Sequence, residues 1–255
     1  MLQDYHIHAL AHGEYQYTYD WLRTFVIAAR ERGITELGFS EHDEYLSRID
    51  LAVLQRLRQE FPDMNIRLGL EVDFIPGREE HIREISRQYD FDYLIGSIHF
   101  IDGWGFDHPD FSHLFTGKDI DQIYRSYFEL VHRAVKSGLF DVVGHLDLIK
   151  IWGHRPRKHS VKHYVEPLLN SIKAAGMVIE INSAGLRKPV KEIYPAPELV
   201  DLIFSRGIAV TLGSDAHHPA QLGEGLPEAR QMLIDAGFKS IAGFDQRQTK
   251  LLPLE

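Results

Sequence analysis

The 255-residue chain has no cysteine. Disulfides, thiolate zinc sites, iron–sulfur clusters and a cysteine nucleophile are therefore all excluded. No apolar run approaches the roughly 18–20 residues that a membrane-spanning helix requires. The opening stretch MLQDYHIHAL has no basic segment followed by an apolar one, so it does not read as a secretory signal. Positive charge is scarce too: 28 Lys and Arg against 37 Asp and Glu give a formal net charge of −9 with histidine neutral. The basic residues are scattered, with Arg155, Arg157 and Lys158 the densest group. That distribution argues against a nucleic-acid polymer as partner, but not against a small anion gripped by one or two arginines. Together these absences predict a soluble, cytoplasmic protein that engages neither a membrane nor a nucleic-acid polymer.

What the chain has in excess is histidine, 15 residues of it. The rest is ordinary globular composition, 44% hydrophobic and 25% charged, in a chain long enough to bury a full core. Short apolar runs alternate with longer amphipathic stretches. The pattern predicts strands over 3–7, 35–39, 66–72, 92–98, 140–144, 177–182 and 208–213, with a weaker eighth over 239–243 that closes or flanks the sheet. Helices are predicted over 19–32, 50–60, 78–88, 119–137, 160–175, 196–206 and 226–236, and Gly33, Gly138, Gly176, Gly207 and Gly237 each follow one as a C-cap. In 119–137, Ile120, Ile123, Tyr127, Leu130, Val131 and Ala134 share one face. Repeated β–α units with short joints imply a parallel sheet, and seven or eight of them in this length suggest a closed barrel in one domain spanning 1–255. The longest joint, 99–118, is rich in Gly, Asp, His and aromatics. It reads either as a functional lid or as an ordered surface insertion.

The histidines fall in a pattern. His6 and His8 end the first strand and His12 follows in the loop; Glu41 and His42 follow the second; Glu71 ends the third and His99 follows the fourth. His145 ends the fifth, Glu180 and Asn182 the sixth, and Asp215 and His217 follow the seventh. Each predicted strand thus delivers a metal-capable group to the same end, the end where barrel enzymes build active sites. Alternation along a strand sends the imidazoles of His6 and His8 to one face and Ile7 to the other. A lone histidine at a strand end is usually an ordinary loop residue, but seven of them with Glu71 and Asp215 exceed what one tetrahedral zinc can use. Two or three divalent ions fit better, and imidazole with carboxylate suits Zn, Mn or Fe. The remaining histidines read as ordinary, with His154 and His218 in reserve.

On DYHIHALAHG (4–13), SEHD (40–43), GLEVD (69–73), GSIHF (96–100), GHLDL (144–148), EINSAGLRK (180–188) and TLGSDAHHP (211–219), the chain resembles the PHP (polymerase and histidinol phosphatase) family. Chain size, the His12–Gly13 pair and the run from Glu180 to Lys188 resemble its stand-alone histidinol-phosphate phosphatases. The resemblance implies a distorted TIM-like (β/α)7 barrel with a trinuclear site. His6, His8, Glu71 and Asp215 would hold one ion, Glu71 with His99 and His145 a second, and His12, His42 and His217 a third. Arg187 matches the family's basic residue near the phosphate. The implied activity is metal-dependent hydrolysis of a phosphate monoester, L-histidinol phosphate, by a water held between two ions and acidified towards neutrality. Asp43 and His218 adjoin proposed ligands and are the candidates for the leaving-group acid, and Glu14 is the acidic residue expected to meet the substrate's ammonium group. The alternatives are a PHP phosphoesterase acting on nucleotides, an amidohydrolase, and a metal-binding barrel without catalysis. The fourth strand carries no lysine of the kind amidohydrolases use as a bridge, and Glu71 can bridge instead.

Overall fold

Alternating apolar runs and amphipathic stretches fold, in the computed structural model, into a run of β–α units; the structure describes residues 2–254. The first are β1 (Leu2–Asp4), α1 (Tyr19–Glu31), β2 (Ile34–Phe39), α2 (Leu51–Glu60), β3 (Asn65–Asp73), α3 (Glu79–Ile85) and β4 (Tyr93–Ser97). A hairpin of β5 (Phe100–Ile101) and β6 (Trp104–Gly105) precedes α4 (Ile120–Ser137), β7 (Val142–Val143), α5 (Val161–Ala174), β8 (Val178–Asn182), α6 (Pro197–Ser205), β9 (Val210–Gly213) and α7 (Leu226–Ala236). The chain ends in β10 (Ser240–Asp245) and β11 (Gln248–Pro253). Seven strands form one sheet in the order β1-β2-β3-β4-β7-β8-β9, and every pairing is parallel. All residues of β4 and β8 are buried, as expected of a parallel sheet covered on both faces.

The sheet curls into a nearly closed barrel. Residues just past β1 reach β9 and the segment beyond it: Tyr5 N donates to Leu212 O at 3.0 Å and His8 N to Ala216 O at 2.9 Å. The regular ladder of the predicted 3–7 strand stops at Asp4, so His6 and His8 sit on this irregular closing seam. At the opposite end, Tyr5, Tyr93 and Phe244 meet with ring centroids 5.2–5.6 Å apart, filling the barrel from below. Phe244 belongs to β10, the predicted eighth strand. It does not enter the barrel, but pairs antiparallel with β11 and flanks it, Ala242 O accepting from Gln3 Nε2 (2.9 Å) and Thr211 Oγ1 (3.0 Å).

Helix α4 shows how local sequence sets an element. The Asp119 carboxylate accepts from Asp121 N at its start, and Gly138 ends it at φ 66°, where a glycine carries no Cβ penalty. Ile123, Tyr127, Val131 and Ala134 are buried along one face, with Ile120 and Leu130 at its margins. The 99–118 joint is an ordered insertion, comprising the β5–β6 hairpin and a 3₁₀ segment at Pro109–Phe115. Phe106 is fully buried against Tyr127, its carbonyl accepts from Trp152 Nε1 at 2.7 Å, and Phe115 packs between Trp104 and His154. No helix among the described residues is long and apolar enough to cross a membrane.

Candidate metal centre

The open, C-terminal ends of the barrel strands converge on Glu71, which β3 projects into the barrel mouth with 2% of its surface exposed. His6 Nε2 lies 3.3 Å from Glu71 Oε1 and His8 Nε2 lies 3.4 Å from Oε2, while Asp215 Oδ1 is 4.0 and 3.5 Å from the same two nitrogens. On the other flank, His145 Nε2 and His99 Nε2 stand 3.0 and 3.7 Å from Oε1 and 3.3 Å from each other. His42 Nδ1 reaches Oε2 at 3.0 Å. The His8 ring is flanked by His42 and His217, with centroids at 4.1 and 4.5 Å, and His12 lies 4.6 Å from His217 at the more exposed rim.

Three groups of ligand atoms result, each within 4.8 Å: His6–His8–Glu71, Glu71–His99–His145 and His8–His42–His217. The first two bring together residues expected at the first and second sites, with Asp215 beside the first. In the third, His8 stands in the group and His12 beside it, where His12, His42 and His217 were expected together. The rotation of the His8 ring on the closing seam could not be read from spacing.

The buried polar atoms test whether these residues suit metal. Among the described residues, His6 Nε2, both nitrogens of His8, His42 Nε2, His145 Nδ1 and His217 Nε2 are buried without a hydrogen-bond partner. Each such group costs about 1–3 kcal/mol, and so many around one carboxylate is far outside the usual pattern. Divalent cations would satisfy the ring nitrogens that face Glu71. The charge states agree for the carboxylates and for part of the histidine set. Burial would raise the Glu71 carboxyl, but His6, His99 and bonds from His145 and His42 hold it well below the ordinary range. Burial would likewise raise Asp215, and His6 and His8 overrule it. Burial, reinforced by His42 and His217, pushes His8 well down; burial with His12 and His42 takes His217 to about 4 against the pull of Asp215. Ionised carboxylates and neutral imidazoles are the forms that bind metal, and His8 and His217 are held towards that form. Burial would lower His6, His42 and His99 too, but the neighbouring carboxylates raise them, so a bound cation would displace their protons.

A second layer orients these groups. Glu180 Oε1 sits 2.6 Å from His6 Nδ1 and Oε2 accepts from His145 N at 2.7 Å, leaving His6 Nε2 to face Glu71. This contact needs Gly213, because a Cβ there would stand 2.2 Å from Glu180 Oε1. Asp73, two residues past Glu71 on the same face of β3, holds His99 Nδ1. Glu41 accepts from Ala9 N (2.8 Å) and Leu10 N (3.0 Å), and burial raises its carboxyl to about 7. Glu41 and Glu180, both metal-capable by position, thus serve the backbone and a ligand ring. Asn182 accepts from Ala184 N at 2.9 Å. Asp215 adopts φ 53°, a left-handed conformation of the kind tolerated where surrounding structure over-determines it.

Beside the cluster opens a cavity of about 450 Å³, lined by His12, His42, Asp43, Lys188 and Asp215 and by residues of the 99–118 insertion. Arg187 is fixed next to Asp215: its Nη2 donates to Ser214 O (2.7 Å) and Asp215 O (3.1 Å), and its Nη1 has no partner among the described residues. Asp43 lines the cavity with Oδ2 accepting from Arg78 Nη2 at 2.6 Å, and burial raises its carboxyl although Arg78 opposes the shift. His218 does not fit the acid role. It is exposed, its Nδ1 accepts from Ala220 N at 3.2 Å as the cap of a 3₁₀ turn, and it does not line the cavity. Glu14 is also elsewhere: it accepts from His12 N at 2.6 Å and does not line the cavity. His154 stacks on Phe115, and Arg155 pairs with Glu192 at 2.7 Å.

Residues 4–184 match the PHP domain family model. A probable histidinol-phosphatase of Deinococcus radiodurans is 37% identical over 233 residues, covering 86% of this chain and 88% of that protein. The histidinol-phosphatase of Bacillus subtilis is 26% identical over 260 residues, covering 87% and 95% respectively. The crystal structure of histidinol phosphate phosphatase from Lactococcus lactis, complexed with Zn, L-histidinol and phosphate, matches with a TM-score of 0.79 over 97% of this chain and 98% of its own. At 21% identity that likeness speaks to fold. A family model spanning most of the chain, on a barrel whose strand ends gather histidines and carboxylates around one glutamate, places the chain in the PHP domain family.

Proposed function

We propose that this protein is a metal-dependent phosphate monoester hydrolase that converts L-histidinol phosphate and water to L-histidinol and phosphate. The observation that carries the reading is the Glu71-centred cluster of buried, unpartnered imidazoles opening onto a cavity that also holds Lys188. The names of the relatives at 37% and 26% identity support the substrate. We take residues 1–255 as one PHP-type barrel domain holding two or three divalent ions, Zn, Mn or Fe. His6, His8, Glu71 and Asp215 would hold one ion, Glu71, His99 and His145 a second, and His42, His217 and His12 a third with His8 alongside. Such ions neutralise phosphoryl oxygens and acidify bound water.

The protein's own residues do the rest. Arg187 lies behind the cavity wall, anchored through Nη2 beside Asp215. Its buried Nη1, without a partner among the described residues, would gain one from a phosphoryl oxygen bound next to Asp215. Lys188 adds a second positive charge at the cavity wall. Asp43, the cavity carboxyl whose proton is held more tightly than usual, is placed to protonate the leaving alkoxide. Asp43→Asn is expected to slow L-histidinol phosphate hydrolysis by about 10²-fold, within the range of general-acid catalysis. Its effect on p-nitrophenyl phosphate, whose leaving group needs no proton, should be small. Equal losses on both esters would rule out the acid role.

The substrate itself is tested by phosphate release from L-histidinol phosphate beside nucleotides and sugar phosphates, with Mn or Zn and after chelation. A chelator-sensitive preference for L-histidinol phosphate is expected. A preference for a nucleotide would keep the chemistry and replace the substrate.

A further inference from the structure

The 99–118 insertion, which starts at the ligand His99, borders the cavity and contributes Phe100, Asp107 and Phe111 to its wall. We propose that these three residues form a subsite for a cationic organic group, making the enzyme selective for phosphate monoesters of amino alcohols. The inference rests on the phosphatase reading above and specifies which esters the cavity prefers.

The first argument is a carboxylate without a partner. Of the other acidic groups lining the cavity, Glu71 is engaged by histidines, Asp43 by Arg78, Asp73 by His99 and Asp215 by His8, while Glu44 is exposed to water. Asp107 is half-buried in the same wall and, among the described residues, has neither a hydrogen bond nor an ion pair. A carboxylate partly withdrawn from water without a counter-charge favours a cation or an N–H donor.

The second argument is the pair of rings beside it. Phe100 and Phe111 are 38% and 45% exposed although the insertion has a buried core to offer, where Phe106 and Phe115 already sit. Aromatic faces next to a carboxylate suit an organic cation or a flat heteroaromatic ring.

The third is rigidity. Asp107 follows Phe106, whose side chain is fully buried and whose carbonyl is held by Trp152. The carboxylate is therefore carried by an anchored segment. The fourth is the layout of charge. Lys188 and Asp107 line the same cavity, one a cation and the other a carboxylate. The cavity thus offers both a cation and a carboxylate, as an ester with a phosphate and a protonated nitrogen requires.

The experiment compares wild type, Asp107→Asn and Phe111→Ala, all metal-loaded, on L-histidinol phosphate and p-nitrophenyl phosphate, with bound metal and melting temperature measured for each. Asp107→Asn is expected to lose about 10–100-fold in kcat/KM on L-histidinol phosphate, as for a lost hydrogen bond to a charged group. It should stay near wild type on p-nitrophenyl phosphate, and inhibition by L-histidinol should weaken in parallel. Equal losses on both esters, or no loss on either, would overturn the subsite. Phosphoethanolamine against glycerol phosphate separates the two levels. If wild type ignores L-histidinol phosphate, the substrate reading fails. The subsite still stands if wild type prefers phosphoethanolamine and Asp107→Asn abolishes the preference, and falls if the ratio is unchanged.

Discussion

Replacing Glu71 by glutamine is expected to lower phosphate release from L-histidinol phosphate by about three orders of magnitude, as loss of several kcal/mol of metal-derived charge stabilisation implies. Five histidines approach its two oxygens at 3.0–3.7 Å: His6, His99 and His145 on Oε1, His8 and His42 on Oε2. No other side chain belongs to both the first and second ligand groups. An amide keeps the shape but removes the negative charge and presents N–H groups to imidazoles that need an acceptor or a cation. Fewer ions per chain should be found by elemental analysis. A variant with wild-type ion content and rate would contradict the bridging role.

The second large effect concerns Arg187. Arg187→Ala is expected to reduce activity by about 10²–10³-fold, the scale for losing one preorganised donor to a developing oxyanion, while leaving the ions bound. The guanidinium is a strong candidate because its geometry is already set: two bonds from Nη2 to the carbonyls of Ser214 and Asp215 aim the rest of the fork. Arg187→Lys keeps a charge but not the fork, so it should recover only part of the loss. If Arg187→Ala also lost metal, the carbonyl contacts would be its main contribution, through Asp215. Unchanged activity would remove Arg187 from the site altogether.

The barrel was legible because parallel strands buried on both faces read as apolar runs, and because the intervening helices carry clear amphipathic faces and caps, as in α4. The ligand cluster was legible because strand ends in such a barrel converge. Position along a strand does not reveal what a carboxylate bonds to, however. Glu41 and Glu180 stand where ligands stand, yet one holds the Ala9 and Leu10 amides and the other orients His6. Asp73 shows the converse. Its alternation with Glu71 in GLEVD put it on the ligand face, a signal that was available, but only the fold brings it to His99. His218 adjoins His217 in sequence, while its ring caps a turn beside Tyr15 and Trp21 and does not line the cavity. β10 was legible as the eighth strand over 239–243, but its partner β11 escaped because 248–253 is largely exposed and carries no apolar run. Asp107 and Lys188 became visible only with the cavity they share.

The most direct test of the account is to strip the protein of metal with a chelator, return Mn or Zn stepwise, and follow bound ions and phosphate release from L-histidinol phosphate in the same samples. The account predicts that the stripped protein is inactive and that the rate returns as two or more ions bind per chain. A stripped protein that keeps its rate, or one that takes up its ions and stays silent on every phosphate ester offered, would contradict it.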